Sequence, residues 1–381
     1  MRHPLGDRQA AVAVAPYAFL PVEGESLHEI AVGPVHAGII EPGHFRFTAN
    51  VEAIVRLEAR LGYVHKGIAG LMAGADVARA ARLAGRASGD STVAYALAFA
   101  SAVEAATGIE APPRAAWLRA LMAELERLAN HFGDIGAICN DASFGLMQAH
   151  CAVLRERVLR FAHGAFAHRL MMDAIVPGGV AADFTRESGV MLTALLDEIR
   201  GAFPRLVDLY DNTASVQDRT VGTGILTPDL ARQFGTGGYV GRASARAFDA
   251  RRMLSYPPYD KLAFTVPVLP EGDVNARVWI RIREVEQSLA LIAALARLPG
   301  GPIRVPVPAE PGEGVALIEG FRGDIFASVR LALDGTVANC HLRDPSWFQW
   351  PLLEAVIDGN IVADFPLCNK SFNCSYSGHD G

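Results

Sequence analysis

The stretch "RASGDS", residues 86–91, sets Arg86 ahead of two serines three positions apart, with a glycine between them. With cysteines in those places, C-G-x-C, it would be the ligand loop of a soft-metal site. A neutral hydroxyl matches neither the charge nor the polarizability of a thiolate, so Ser88 and Ser91 are poor ligands for such a metal. The plainer role of this stretch is a helix start, with Ser88 or Asp90 as N-cap. A second stretch, "GPVHAGIIEPGHF" (33–45), places His36, Glu41 and His44 within nine positions. Two imidazoles and a carboxylate can bind a metal or relay protons, and they can equally hydrogen-bond the backbone of their own loop. Near the C-terminus Arg343 and Asp344 stand side by side before Pro345, while Cys368 and Cys374 lie six apart, a spacing of no common metal motif. His131, Asp134 and Asp141 share one strongly helical run. His131 and Asp134 are i and i+3 on one face, where a satisfied core histidine is the simpler reading.

The elements that must hold these residues are predominantly helical. "ADVARAARLAG" predicts a short helix and Asp90 to Thr107 a longer one stopped by Gly108. Pro112-Pro113 opens the strongest helical run, through "GAICNDA". Further helices are predicted over about 144–173, closed by "PGG" at 177–179, over 187–210 and over 275–296. Residues 17–50 alternate between Gly and Pro punctuation as short strands, and 314–345 alternate as antiparallel strands with glycine turns. Residues 235–272 predict a long irregular excursion. The fold class is thus mainly α (α+β), a long-helix core with small antiparallel sheets. It reads as a single domain over 1–381: a β-rich segment 1–50, a helical core 51–300, and a β-hairpin segment with C-terminal tail 301–381.

Composition narrows the function classes. At 51% hydrophobic and 20% charged, the 381 residues are too apolar for a disordered chain. A net charge of −6 without a basic tract argues against a phosphate-neutralising nucleic-acid face. The most apolar run, "STVAYALAFASAVEAATGIEA", is broken by Glu104 and Gly108 and predicts a buried helix rather than a membrane span. The N-terminus lacks the layout of a signal peptide, and five irregularly spaced cysteines make no disulfide framework, so the cytoplasm is the expected compartment.

Several segments together resemble one family. "GPVHAGIIEPGHF", "LEARLGYVHKGIAGLM", "PPRAAWLRALMAELERLANHFGDIG" and "DPSWFQWPLLEAVIDGNIVADFPLCNKSFN" resemble, in order and spacing, the large subunit of nickel–iron hydrogenases in the energy-converting membrane-bound branch, and the related 49 kDa subunit of respiratory complex I. The similarity runs from about residue 28 to the end. In the hydrogenases, four cysteines in two CxxC pairs hold nickel and iron. The resemblance puts the first pair, from R-x-C-G-x-C-x-x-x-H, on Ser88 and Ser91, with Tyr95 at the histidine, and the second on Ser375 and Gly378. All four thiolates are replaced, and Cys374 falls one place too early to be a ligand. Hydrogenase precursors usually end in a tail removed after nickel insertion; this sequence ends at Gly381, without one. In complex I the same subunit has lost the metal and opened the cavity to a quinone; here the quinone-contacting histidine and tyrosine positions fall on Ile40 and Gly89, and only Asp141 keeps its place.

The resemblance therefore implies a nickel-free large subunit of a complex I-like, energy-converting redox assembly, or a catalytically silent structural subunit of the same assembly. It implies no metal or cofactor bound by this chain, and a quinone or other acceptor where the metal once sat. Iron–sulfur clusters belong to a small partner subunit. A 30 kDa-like subunit and membrane subunits complete the assembly, which lies on the cytoplasmic side, with membrane contact through partners alone. Glu41 matches the acidic residue thought to pass protons, and His36, His44, Arg86, Asp141, Arg343 and Asp344 match polar positions around the former metal cavity.

Overall fold

A computed structural model of the chain describes residues 18–381. The start of the β-rich segment, and the stretch that bears on a signal peptide, fall on residues 1–17 and lie outside the described residues. Three strands, β1 (Leu27–Val32), β2 (His44–Asn50) and β3 (Ala53–Arg60), form one antiparallel sheet in sequence order. The sheet thus runs ten residues past the boundary expected at residue 50. Its second hairpin turns at Val51, which has φ 55 and gives no glycine signal to the sequence. Two short helices follow, α1 (Ile68–Met72) and α2 (Val77–Ala84), the latter capped by Asp76, whose side chain accepts from Arg79 N–H.

The helical core is α3 (Thr92–Thr107), α4 (Pro113–Asp141) and α5 (Gly145–Phe166). α3 ends as expected on Gly108, which takes the left-handed conformation at φ 65. Neither Ser88 nor Asp90 caps it. The free amides of Val93 and Ala94 instead donate to the Glu126 carboxylate on α4, at 2.7 and 3.1 Å, so a residue remote in sequence does the capping. Burial pushes the Glu126 carboxyl up to about 8, against the pull of those two N–H groups. α4 and α5 cross closely: a Cβ on Gly136 would stand 2.9 Å from the Cβ of Cys151. α5 stops at Phe166 instead of near 173, because Ala167 turns left-handed and Asp173, also at positive φ, leaves the helical path to pair with Arg86.

A two-residue pair of strands, β4 (Ile175–Val176) and β5 (Gly179–Val180), leads into α6 (Arg186–Asp211) and α7 (Ala214–Thr220). α8 (Pro228–Phe234) leads into the irregular excursion, which holds the short helices α9 (Gly238–Arg242) and α10 (Ala250–Met253) and a 3-10 turn at Tyr259–Lys261 before α11 (Val274–Leu295). The last segment is the antiparallel sheet β6 (Gly312–Glu319), β7 (Asp324–Leu331) and β8 (Val337–Arg343), then α12 (Ser346–Val356), α13 (Phe365–Phe372) and α14 (Tyr376–Asp380). No helix among the described residues is long and apolar enough to cross a membrane.

Two hydrophobic clusters fill the interior. The larger surrounds α3, α4, α5, α6 and α11; the smaller joins Phe45 and Phe47 of β2 to Trp350, Phe365, Phe372 and Tyr376. A band of buried charge fixes α4 against α11. His131 donates through Nε2 to Glu284 at 2.7 Å, and Arg281 meets Asp134 at 3.1 Å, so the i, i+3 pair on α4 faces an i, i+3 pair on α11. His131 is fully buried, and burial holds its imidazole neutral despite Glu284, as a core histidine should be. Glu284 also takes Arg242 at 2.7 Å, and Arg242 reaches Glu319 at 2.8 Å.

The sheet β6–β8 lies directly on α3 because β6 presents glycine there. A Cβ on Gly314 would stand 2.1 Å from the Ala102 carbonyl oxygen, and one on Gly312 2.0 Å from that of Ala106. Backbone on both sides leaves nothing flexible to yield. Gly314→Ala is expected to destabilise the chain by roughly 2–3 kcal/mol through overpacking. A urea midpoint unchanged by the substitution would contradict this packing.

Candidate functional site

The residues that the resemblance sets at the four ligand positions come from two distant parts of the chain and meet. Ser88 Oγ and Ser375 Oγ are 2.9 Å apart and both residues are buried. Ser375 also caps α14, accepting the Gly378 N–H at 2.9 Å. Ser91, buried at the foot of α3, donates to Asp90 Oδ1 at 3.2 Å, and Ser88 donates to the same oxygen at 2.8 Å. The hydroxyls thus hold one another and one carboxylate.

That carboxylate faces Arg322, carried in the turn between β6 and β7 and almost fully buried. Arg322 Nη2 donates to Asp90 Oδ2 at 2.5 Å, Nη1 to Ser91 Oγ at 3.2 Å, and Nε to the Asn373 carbonyl at 2.5 Å. Burial alone would raise the Asp90 carboxyl; Arg322 and the two hydroxyls outweigh it and hold the group below the usual carboxylate range. Both members stay charged.

The fourth position is closed by a side chain. A Cβ on Gly378 would stand 2.5 Å from Asp344 Oδ2 and 2.7 Å from its Cγ, so the Asp344 carboxylate occupies the space a cysteine there would need. Asp344 is fully buried; Oδ2 accepts from the Tyr95 hydroxyl at 2.7 Å and Oδ1 from the Ser346 N–H at 2.8 Å. Burial and then Asp344 push the Tyr95 phenol well above its ordinary range, so it stays a neutral donor. Tyr95 at the histidine position, glycine at the fourth ligand position and Asp344 between them form one mutually dependent set. Three serines and a glycine around an ion pair do not fit nickel, which asks for thiolates. Among the described residues no group of three or more His, Cys, Asp or Glu side chains is arranged to hold a metal ion.

Beside this closed centre a cavity of about 470 Å³ remains. It lies between the loop after β1, the foot of α3, the middle of α4, α5 and the C-terminal segment, and Glu41, Ser88, Asp90, Asp134, Arg322, Lys370, Cys374 and Ser375 line it. Glu41 Oε2 accepts the Ser377 N–H at 2.9 Å, which ties the loop to the former ligand segment. His36 stands behind it, its Nε2 3.3 Å from the Tyr376 hydroxyl and its ring edge-on to Phe45. Cys374 is buried against Gln349, and burial pushes its thiol above the ordinary range.

Four of the expected residues are elsewhere. Arg86 points away and forms a half-exposed pair with Asp173, donating through Nη2 at 2.7 Å. Arg343 holds Asp324 at 2.6 Å and lies over the Phe348 ring. His44 begins β2 and packs edge-on to Phe19. Asp141 ends α4 and is not among the residues that line the cavity; burial raises its carboxyl. Asp90 and Arg322 are central here, yet the sequence marks Asp90 only as a cap and does not mark Arg322 at all. A carboxylate placed between two serines is the available signal for the first; nothing in "GFRGD" points to the second.

Comparison with known proteins gives the class to which this fold belongs. The pattern described as "Respiratory-chain NADH dehydrogenase, 49 Kd subunit" matches residues 145–309. An NADH-quinone oxidoreductase subunit of Syntrophobacter fumaroxidans is 31% identical, over 92% of this chain and 95% of the relative. The carbon monoxide-induced hydrogenase of Rhodospirillum rubrum is 29% identical over 91% and 98%. A chain from the structure of the membrane-bound sulfane sulfur reductase, an archaeal respiratory membrane complex, superposes with a TM-score of 0.88 at 25% identity, covering 93% of this chain and 99% of that one. The chain belongs to the family of the complex I 49 kDa subunit and the membrane-bound hydrogenases, and is a subunit of an oxidoreductase complex of that class.

If Asp344 fills the fourth ligand position, adding a Cβ there must be costly. Gly378→Ala is expected to lower stability by about 1–3 kcal/mol, with Asp344→Ser in the same chain recovering part of the loss. Urea midpoints of the three chains test this, and a neutral Gly378→Ala would refute the assignment.

Proposed function

We propose that this chain is a nickel-free large subunit that takes part in passing electrons from an iron–sulfur cluster of a partner subunit to a small acceptor held in the cavity beside the former metal position. The observation that carries this reading is the cavity itself. It is lined by Glu41, and it adjoins the Asp90–Arg322 pair. A scaffold needs no such space, although the occupied ligand positions and the outward Arg86 favour that second reading. A quinone is the first candidate acceptor. The names of the relatives span quinone, sulfane sulfur and hydrogen chemistry, so the acceptor class is wider than quinone alone.

In this reading Glu41 holds or releases the proton that accompanies acceptor reduction, acting as general acid or base from the cavity wall. His36 meets the hydroxyl of Tyr376, the chain neighbour of the Ser377 whose N–H Glu41 accepts. The loop tip carries exposed apolar residues, Val35 at 82% and Ile39 at 98%, as a surface destined for cover by another subunit does. The expected partners are an iron–sulfur small subunit, a 30 kDa-like subunit and membrane subunits, with this chain peripheral on the cytoplasmic side.

Glu41→Gln keeps the acceptor for the Ser377 N–H and removes the titratable group. In the complex purified with its partners it is expected to lower turnover with a short-chain quinone at least about tenfold, the lower end of what general acid–base catalysis supplies, while assembly is unaffected. Unchanged turnover would remove Glu41 from the mechanism.

A further inference from the structure

One cation in the cavity wall has no use in the reading above. Arg155, on α5, lines the cavity; its Nε is buried and has no hydrogen-bond partner among the described residues. The other cations there are satisfied: Arg322 by Asp90, and Lys370 by Asn373 at 2.9 Å with Asp134 at 3.8 Å. Arg155 reaches the cavity across α4, and the sequence makes room for it. Its chain lies over Gly133, where a Cβ would stand 3.3 Å from Arg155 Cδ and 3.4 Å from Nε. A glycine in the middle of a 29-residue helix is unfavourable for the helix, and here it gives passage to a guanidinium. Nε is shut in over Gly133, which leaves the Nη nitrogens, also without a hydrogen-bond partner among the described residues, to meet an anion; the planar fork of arginine suits carboxylate and phosphate, and the charge of the wall decides between them.

We propose that the cavity binds a small molecule with a flat apolar body and a single carboxylate, the carboxylate held by Arg155. The inference rests on reading the cavity as a ligand site and names the class of ligand. The charge count sets the valence. Asp90 is paired with Arg322, and Asp134 with Arg281 and Lys370, which leaves Glu41 and Arg155 as the wall's unpaired charges among the described residues; one negative charge can be set on Arg155, whereas a dianion would add a second beside Glu41. Ile40, Ala137 and Ala152 supply apolar wall for the body, and about 470 Å³ admits a bicyclic ring.

The test is equilibrium binding to the complex purified with its partner subunits, by calorimetry, with 2-naphthoate as probe and 2-naphthamide as its neutral isostere. Naphthoate is expected to bind at least about tenfold tighter than the amide. Arg155→Gln should weaken naphthoate on the order of 30-fold and leave the amide unchanged, because the amide offers the guanidinium no charge to pair with. Gly133→Ala, which obstructs the guanidinium without removing it, should weaken naphthoate several-fold. Equal affinity for acid and amide, an Arg155→Gln complex that binds as the wild type does, or no binding of either probe would each overturn the proposal. No binding is also the outcome if a carboxylate of a partner subunit covers Arg155. The two readings fail separately. A complex that reduces quinone yet ignores naphthoate leaves electron transfer intact, and Arg155-dependent binding in a complex without turnover leaves only the ligand site.

Discussion

The bond between Asp90 and Arg322 is the constraint on which the centre of this protein depends. Arg322 is almost fully buried, and an isolated buried guanidinium costs several kcal/mol even after relaxation. Four thiolates and a metal would set the charge of this region in the hydrogenase branch of the family; four uncharged residues cannot. Asp90 supplies the negative charge, and Ser88 and Ser91 orient it with their hydroxyls. Through these contacts the foot of α3, the β6–β7 turn and the segment entering α14 become one unit. The hydroxyls of "RASGDS" are therefore not vacant ligand sites. They are donors to a carboxylate that now balances the centre.

The same physics extends outward through the core. Arg127, Arg242, Arg251, Arg277 and Arg281 are all nearly or fully buried in a chain that is half hydrophobic, and each meets a carboxylate or carbonyl oxygens. Breaking such pairs is far more costly than their net worth, so they act as register marks between long helices with otherwise uniform alanine-rich surfaces. Asp134 joins both functions. It holds Arg281 of α11 and accepts from Asn373, and it forms part of the cavity wall. Rigid placement of that wall follows from the core and needs no ligand.

Legibility in the sequence followed locality. Gly108 and Pro113 mark helix ends through their own backbone chemistry, and both ends stand where expected. The strands of the last sheet were equally plain, since alternation and glycine turns are local signals. The end of α5 was not, because "RLMM" continues a helical pattern and only the pairing of Asp173 with Arg86 shows why the chain leaves it. The site divides along the same line. The family motifs brought Ser88, Ser375, Glu41 and Asp344 to one place, whereas Arg86, Arg343, His44 and Asp141 found partners or places outside the cavity. Asp90 and Arg322 are 232 positions apart, and no spacing rule connects them. Arg155 and Gly133 are signals of the same hidden kind, a small residue on one helix and a long one on its neighbour.

The central proposal is that an ion pair between buried Arg322 and Asp90 at the cavity wall, with the hydroxyls around it and Asp344, stands where the resemblance sets the metal. Nickel measured by elemental mass spectrometry on the complex, purified with its partner subunits, tests it most directly, since iron would be supplied by partner clusters. The account predicts nickel no higher than in the buffer. Nickel near one per complex would contradict it and would direct the search for ligands to His36, His44 and Cys374.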